Sequence, residues 1–211
     1  MKKALLISGG RKVSKYLIEK YSDRYIIIAD SGAELLKNYN LRANLVIGDL
    51  DSINGETLKY VNDIGIKIYK FPVKKDLTDT HLCVEYLVKN HFKDIVILGA
   101  LGTRLDHELA NLNLLKSLYK RNIKSKIEDD NNEVYYAEKG IYNLKKGNKK
   151  YISVVSSSAE TIYSTTGFVY EVKGKILNYK NPSLGVSNEM INDEGTIEIK
   201  KGEAFIILSR D

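Results

Sequence analysis

The chain has 211 residues, 43% of them hydrophobic and 28% charged, enough for one large domain or two modest ones. Its net charge of +6 lies almost wholly before residue 132 and forms no basic stripe with interleaved aromatics, so nucleic acid is not expected as a partner. No apolar run approaches the ~18 to 20 residues that span a bilayer, and the apolar stretch of the first eight residues is too short for a signal peptide. The single Cys83 excludes an internal disulfide and reads as a small buried hydrophobe. A cytoplasmic protein without membrane association is the expectation.

The first part alternates between two periodicities. Strand candidates at residues 4–8, 25–30, 45–48, 66–71 and 95–99, with a weaker one near 123–127, are separated by helical patterns at 13–20, 33–39, 56–62, 80–90 and 107–119. Within 80–90, Leu82, Val84, Tyr86, Leu87 and Val88 mark a largely buried helix. Such alternation predicts parallel strands with helices on both faces, and sheets of that kind bind ligands beyond the carboxyl ends of their strands. Ser8-Gly9-Gly10, Asp30-Ser31-Gly32, Gly48-Asp49, Lys75-Asp76 and Gly99-Ala100-Leu101-Gly102 all fall on that rim.

After about residue 132 helical periodicity stops. Short β-rich pieces follow at 133–137, 150–156, 161–166, 168–172, 195–199 and 204–209, punctuated by glycines, the pattern of a small antiparallel sandwich or barrel-like domain. The expected fold is α/β plus all-β: a parallel-sheet α/β/α domain over residues 1–132, then an antiparallel β-sandwich over 133–211. Asp129-Asp130-Asn131-Asn132 would be the turn between them.

Two acidic clusters follow apolar runs on the expected rim, Gly48-Asp49-Leu50-Asp51-Ser52 and Asp76-Leu77-Thr78-Asp79. Carboxylates brought together repel unless a cation holds them, and an all-oxygen set suits Mg²⁺, which shares its shell with waters and substrate phosphate. At a strand end, residues i and i+2 point the same way, so Asp49 and Asp51 can face one ion. Each cluster also has a plain reading, the first as a turn and the second as a cap for the next helix. The segment from Gly99 to Asn111 joins a strand to a helix. Its glycines let backbone N–H groups approach a phosphate at a helix N-terminus, and Arg104 can fork onto phosphate oxygens. Asp106 either caps the helix or accepts from Arg104 or a ligand hydroxyl. The spacing is neither that of a P-loop nor of the dinucleotide fingerprint. In the second part, Tyr170 offers a flat face to an aromatic or cationic ligand, and Ser187 and Asn188 offer hydrogen bonds to ring nitrogens or an amine.

The ordered set Ala29-Asp30-Ser31-Gly32-Ala33, Gly48 to Ser52, Asp76 to Asp79, Gly99 to Asn111, Thr166-Gly167-Phe168-Val169-Tyr170 and Ser187-Asn188 resembles the thiamine pyrophosphokinase family and spans most of the chain. The resemblance implies an ATP- and Mg²⁺-binding catalytic domain, a thiamine-binding and dimerising β-sandwich, a homodimer, and the reaction of thiamine with ATP to give thiamine diphosphate and AMP. It further implies Asp49, Asp51 and Asp79 as Mg²⁺ ligands, with Asp76 close by. Asp30, Ser31, Gly99, Gly102, Thr103, Arg104 and Asp106 would lie around ATP, and Tyr170, Ser187 and Asn188 around thiamine. The sequence departs from the family pattern at Ser31, Ala100 and Thr103, where glycines are common, and at apolar Leu77. Two alternatives stay open on the residues themselves: a haloacid-dehalogenase-type phosphatase in which Asp49 attacks and Asp51 acts as acid, and a non-catalytic nucleotide- or thiamine-binding module.

Overall fold

Continuous apolar runs make the strands of the first unit. In the computed structural model, which describes residues 1–48, 53–70, 76–102 and 104–211 and all but the side chain of Ser31, the chain divides into units Met1–Asp130 and Asn131–Asp211. The first unit runs β1 (Lys3–Ile7), α1 (Lys15–Glu19), β2 (Tyr25–Ala29), α2 (Glu34–Tyr39), β3 (Leu45–Gly48), α3 (Gly55–Asp63), β4 (Lys67–Lys70), α4 (Asp79–Lys89), β5 (Asp94–Leu98), α5 (Leu105–Lys120) and β6 (Lys124–Glu128). All six strands are parallel, in the order β6-β5-β1-β2-β3-β4.

Successive side chains of the central strands leave on opposite faces, and both faces are covered. Leu5, Ile7, Ile28, Val46, Val96 and Leu98 pack with Val13, Leu17, Ile18, Leu36 and Val61. The alternate residues Leu6, Ile27, Ile47, Ile95 and Ile97 are equally buried, as are Val84 and Leu87 of α4 and Leu114, Leu115 and Leu118 of α5. Burial on both faces is what a parallel sheet demands and why β1 and β5 read as unbroken apolar runs. The edge strand β4 instead carries exposed lysines at both ends, which discourage further pairing. Side chains cap three helices: Ser14 accepts from Leu17 N–H, Asn54 from Thr57 N–H and Thr78 from His81 N–H. No helix among the described residues is long and apolar enough to cross a membrane.

The second unit runs β7 (Asn132–Ala137), β8 (Gly140–Lys145), β9 (Tyr151–Ser156), β10 (Glu160–Thr166), β11 (Lys175–Asn178), β12 (Asn188–Glu189), β13 (Glu194–Lys201) and β14 (Ala204–Ser209). Antiparallel pairing gives β12-β9-β14-β7 on one side and β11-β10-β13-β8 on the other. Ile152, Val154 and Ile206 from the first set meet Tyr163, Leu177, Ile197 and Ile199 from the second in one core, so the unit is a sandwich. The expected strand at 168–172 is absent. Gly167 turns the chain at φ +85°, and Phe168 makes only an isolated bridge to Met190. β8 and β11 lie where no strand was expected, because they bury little: Ile141 is exposed and Leu177 is the one buried residue of its strand.

One buried charge in the first unit is fully answered. Glu128, at the carboxyl end of β6, accepts from Lys20 at 2.8 Å, from the Tyr21 hydroxyl, and pairs with Lys126 at 2.9 Å. Burial alone would raise its pKa, but hydrogen bonds from Lys20, Tyr21 and Lys126 outweigh that and hold it below its ordinary value. A depressed carboxylate stabilises the fold above its unfolded pKa of ~4.3 and loses that contribution as pH falls through the folded value. Thermal melts between about pH 7 and pH 3 should therefore show a steeper fall for the wild type than for Glu128→Gln, which starts lower at neutral pH; parallel curves would count against this role.

Candidate active site

The strand order reverses between β1 and β5. The chain builds outward from β1 through β2, β3 and β4, then returns to the other side of β1. Loops leaving the carboxyl ends of these two neighbours open a crevice at that point, and a cleft of ≈ 250 Å³ lies there. Its walls interlock through main-chain bonds: Ser8 N–H to Leu98 O at 2.8 Å, Gly10 N–H to Gly99 O at 2.7 Å and Arg11 N–H to Leu101 O at 2.9 Å. A Cβ on Gly10 would stand 2.4 Å from Gly99 O, and one on Gly99 would stand 2.4 Å from Ser8 O. Gly99 also needs its φ of +65°.

The structure brings part of the expected acidic set to this cleft. Asp30, directly after β2, lines it with a φ of +40°, an uncommon conformation for a residue with a side chain. Gly48 makes room for it, since a Cβ there would lie 2.9 Å from Asp30 Oδ1. Asp79, the first residue of α4, also lines the cleft. Asp76 is exposed in the turn before α4 and is not part of the wall. Thr78, rather than either aspartate, caps α4. Asp49, Asp51 and Thr103 lie outside the described residues, and Ser31 is described only in its backbone. Among the described residues no group of three or more His, Cys, Asp or Glu side chains is placed to hold a metal.

Arg104 and Asp106 start α5. Arg104 lines the cleft as the N-cap residue and donates from Nη2 to Asp106 Oδ2 at 2.6 Å and from Nε to Oδ1 at 3.2 Å. The hydrogen bond from Arg104 holds the Asp106 carboxyl below the usual carboxylate range, and Asp106 in turn raises Arg104. Asp106 thus orients the guanidinium and also accepts from the His107 N–H in the first turn of α5 at 3.0 Å. Gly102 stands at φ +89° outside the cleft wall, with its N–H donated to Glu108 Oε1 at 2.8 Å. The buried Asn111 donates from Nδ2 to Ala100 O at 2.8 Å. Both Glu108 and Asn111 line the cleft and stabilise the glycine loop, a role not read from the sequence. A signal for Asn111 was present: it is the polar member of a buried stripe with Leu114, Leu115 and Leu118.

In the second unit a smaller cleft of ≈ 90 Å³ is lined by Tyr163, Phe168, Tyr170, Val172, Val186 and Asn188, among others. Tyr170 is 71% exposed. Asn188 clamps its main chain, with Oδ1 accepting from Tyr170 N–H at 3.0 Å and Nδ2 donating to Tyr170 O at 2.7 Å. Ser187, at φ +61°, is exposed outside this cleft, its N–H donated to Ser153 Oγ at 3.0 Å.

A family model described as the thiamin pyrophosphokinase catalytic domain matches residues 17–127, and one described as the thiamin pyrophosphokinase vitamin B1 binding domain matches residues 141–203. The chain belongs to the thiamine pyrophosphokinase family. It is 30% identical to the thiamine pyrophosphokinase of Bacillus subtilis over 100% of both chains. The crystal structure of the Bacillus subtilis protein matches with a TM-score of 0.90 at 29% identity, covering 100% of each chain. That of a thiamin pyrophosphokinase family protein from Enterococcus faecalis matches at 0.86 and 26% identity, again over 100% of each. Within the thiamine pyrophosphokinase frame, Asp30, Asp79 and Arg104 fall in the catalytic match and Tyr170, Ser187 and Asn188 in the vitamin B1 match.

The Asn111 bond to Ala100 O makes a prediction. Asn111→Ala leaves a buried carbonyl unanswered at a cost of about 1–3 kcal/mol, a loss of roughly 2–4 °C in melting temperature per kcal/mol for a chain of this size. An unchanged melting temperature would remove Asn111 from the support of the loop.

Proposed function

We propose that the chain transfers the pyrophosphoryl group of ATP to thiamine, giving thiamine diphosphate and AMP. The observation that carries this reading is the convergence of Asp30, Asp79 and Arg104 on one glycine-walled cleft in a chain of the thiamine pyrophosphokinase family. The hydroxyethyl oxygen of thiamine attacks the β-phosphorus of ATP in line. The bond from that phosphorus to the oxygen bridging it to the α-phosphate breaks, and AMP leaves with the bridging oxygen. Such transfers depend on positioning and charge neutralisation more than on covalent chemistry of the protein. Arg104, held by Asp106, supplies positive charge beside the phosphates. Asp30, Ser31, Gly99 and Thr103 lie around the nucleotide in this reading, whereas Gly102, outside the cleft wall with its N–H donated to Glu108, supports the loop. The hydroxyl proton passes to Asp79 or Asp76, whichever does not ligate the ion; Asp79 borders the cleft and Asp76 is exposed in the turn before α4.

Mg²⁺ belongs to the same proposal. An all-oxygen donor set suits the ion and Asp79 borders the cleft; Asp49, Asp51 and Asp79, the set that the family resemblance implies, are its proposed ligands. When bound, the ion would neutralise charge on the polyphosphate. The 1–132 part is assigned to catalysis and the 133–211 part to thiamine, with Tyr170 stacking on a thiamine ring and Asn188, which holds the Tyr170 main chain, shaping the pocket; Ser187, outside this cleft, has a pyrimidine contact only by the family resemblance. A homodimer formed through the second part accords with its exposed Val169, Val186 and Ile191.

A coupled assay for AMP with ATP, Mg²⁺ and thiamine tests the reaction. AMP should appear only when thiamine is present; phosphate release without thiamine, through an aspartyl-phosphate, would instead support the phosphatase. Asp79→Asn should lower turnover by about a hundredfold or more with little change in melting temperature, and turnover near that of the wild type would remove Asp79 from the chemistry. Tyr170→Ala should weaken thiamine binding more than ATP binding; equal losses for both would argue against stacking.

A further inference from the structure

Ser8 and Thr80 come from segments 72 residues apart and meet at the cleft, where their hydroxyl oxygens are 2.5 Å from each other. Ser8 directly follows β1 and Thr80 is the second residue of α4, next to Asp79. Each is only 7% exposed, and both line the cleft. Two hydroxyls carry two protons. One proton is used in the bond between them, and neither hydroxyl has a further hydrogen-bond partner among the described residues. One O–H is therefore left to donate to water or to a ligand in the cleft that both residues line.

We infer that the Ser8–Thr80 pair is a phosphate-binding element that donates one hydroxyl proton to an anionic oxygen of the nucleotide's β- or γ-phosphate. The inference rests on the nucleotide reading of the cleft. A phosphate oxygen suits the position better than a base. The pair stands among Gly9, Gly10 and Gly99, and the aromatic ring in the cleft lining among the described residues, His107, belongs to α5 rather than to the segments that carry the pair. Because the acceptor of the internal bond is polarised by its partner, its own proton is a stronger donor than that of a lone hydroxyl. The same bond ties the end of β1 to the first turn of α4, so the oxygen it holds is placed at a fixed position relative to Asp79.

The test compares the wild type with Ser8→Ala/Thr80→Val, which removes both hydroxyls and nearly conserves volume, and with Thr80→Ser, which keeps the donor. Calorimetric titration with Mg²⁺ and α,β-methylene-ATP should show affinity lower by about tenfold to a hundredfold in the double variant, the range for losing one hydrogen bond to a charged group. AMP, which lacks the β- and γ-phosphates, should lose less than about twofold. Thr80→Ser should bind as the wild type does. The single variants Ser8→Ala and Thr80→Val are titrated in parallel, so that the comparison survives if the double variant does not fold. Unchanged affinity for the ATP analogue in every variant lacking a hydroxyl, or equal losses for the analogue and AMP, would overturn the inference. Absence of binding by the wild type would overturn the nucleotide reading itself, and is recognised before any substitution is made.

Discussion

The cleft depends on two loops packed so closely that neither tolerates a side chain where they meet. β1 and β5 are parallel neighbours whose following segments part to opposite sides of the sheet. The first residues after each strand must cross in the same small volume. Gly10 and Gly99 solve this by bonding main chain to main chain. Every other group of the site is hung on that junction: Asp30 from the next strand over, Thr80 through Ser8, and Arg104 through the loop that Glu108 and Asn111 brace.

Burial sorts the charges of the first unit into two kinds. Glu128 is enclosed and satisfied by three donors, and Asp94 is similarly paired with Arg24 at 2.7 Å; these serve the fold. Arg104 and Asp106 are each more than half exposed. A pair in that position contributes little to stability, and what it does supply is a guanidinium already turned in one direction. Asp30 and Asp79, both half-buried, stand between these extremes at the wall of the cleft.

Much of this was legible in the residues. Strand–helix alternation gave the parallel sheet and its ligand-binding rim, because a strand buried on both faces has a distinctive unbroken apolar run. The Gly99–Asn111 segment and the aspartate after β2 were recognisable for the same reason: polar or glycine-rich residues directly follow such runs. Ser8 and Thr80 were not paired in advance, since nothing in a local window links positions 72 apart. Asp76 and Asp79 looked alike in sequence, and only the helix start, set by Thr78, separates the exposed one from the one at the wall. In the second unit, alternation failed for β8 and β11, whose outward positions carry apolar residues, and the 168–172 run was misleading because its apolar side chains belong to a loop held by Asn188.

Asp130 accepts from both the N–H and the hydroxyl of Ser14, the residue that caps α1. The last acidic residue of the first unit therefore secures its first helix, and β1 finds one of its two neighbours, β5, only after some ninety residues have intervened. On a ribosome, this means that the opening loop emerges early and waits. Its partners for closure, Leu98, Gly99 and Leu101, arrive only after β2, β3 and β4 have been synthesised, so the local β1-to-β4 segment can form first and the crevice sets later.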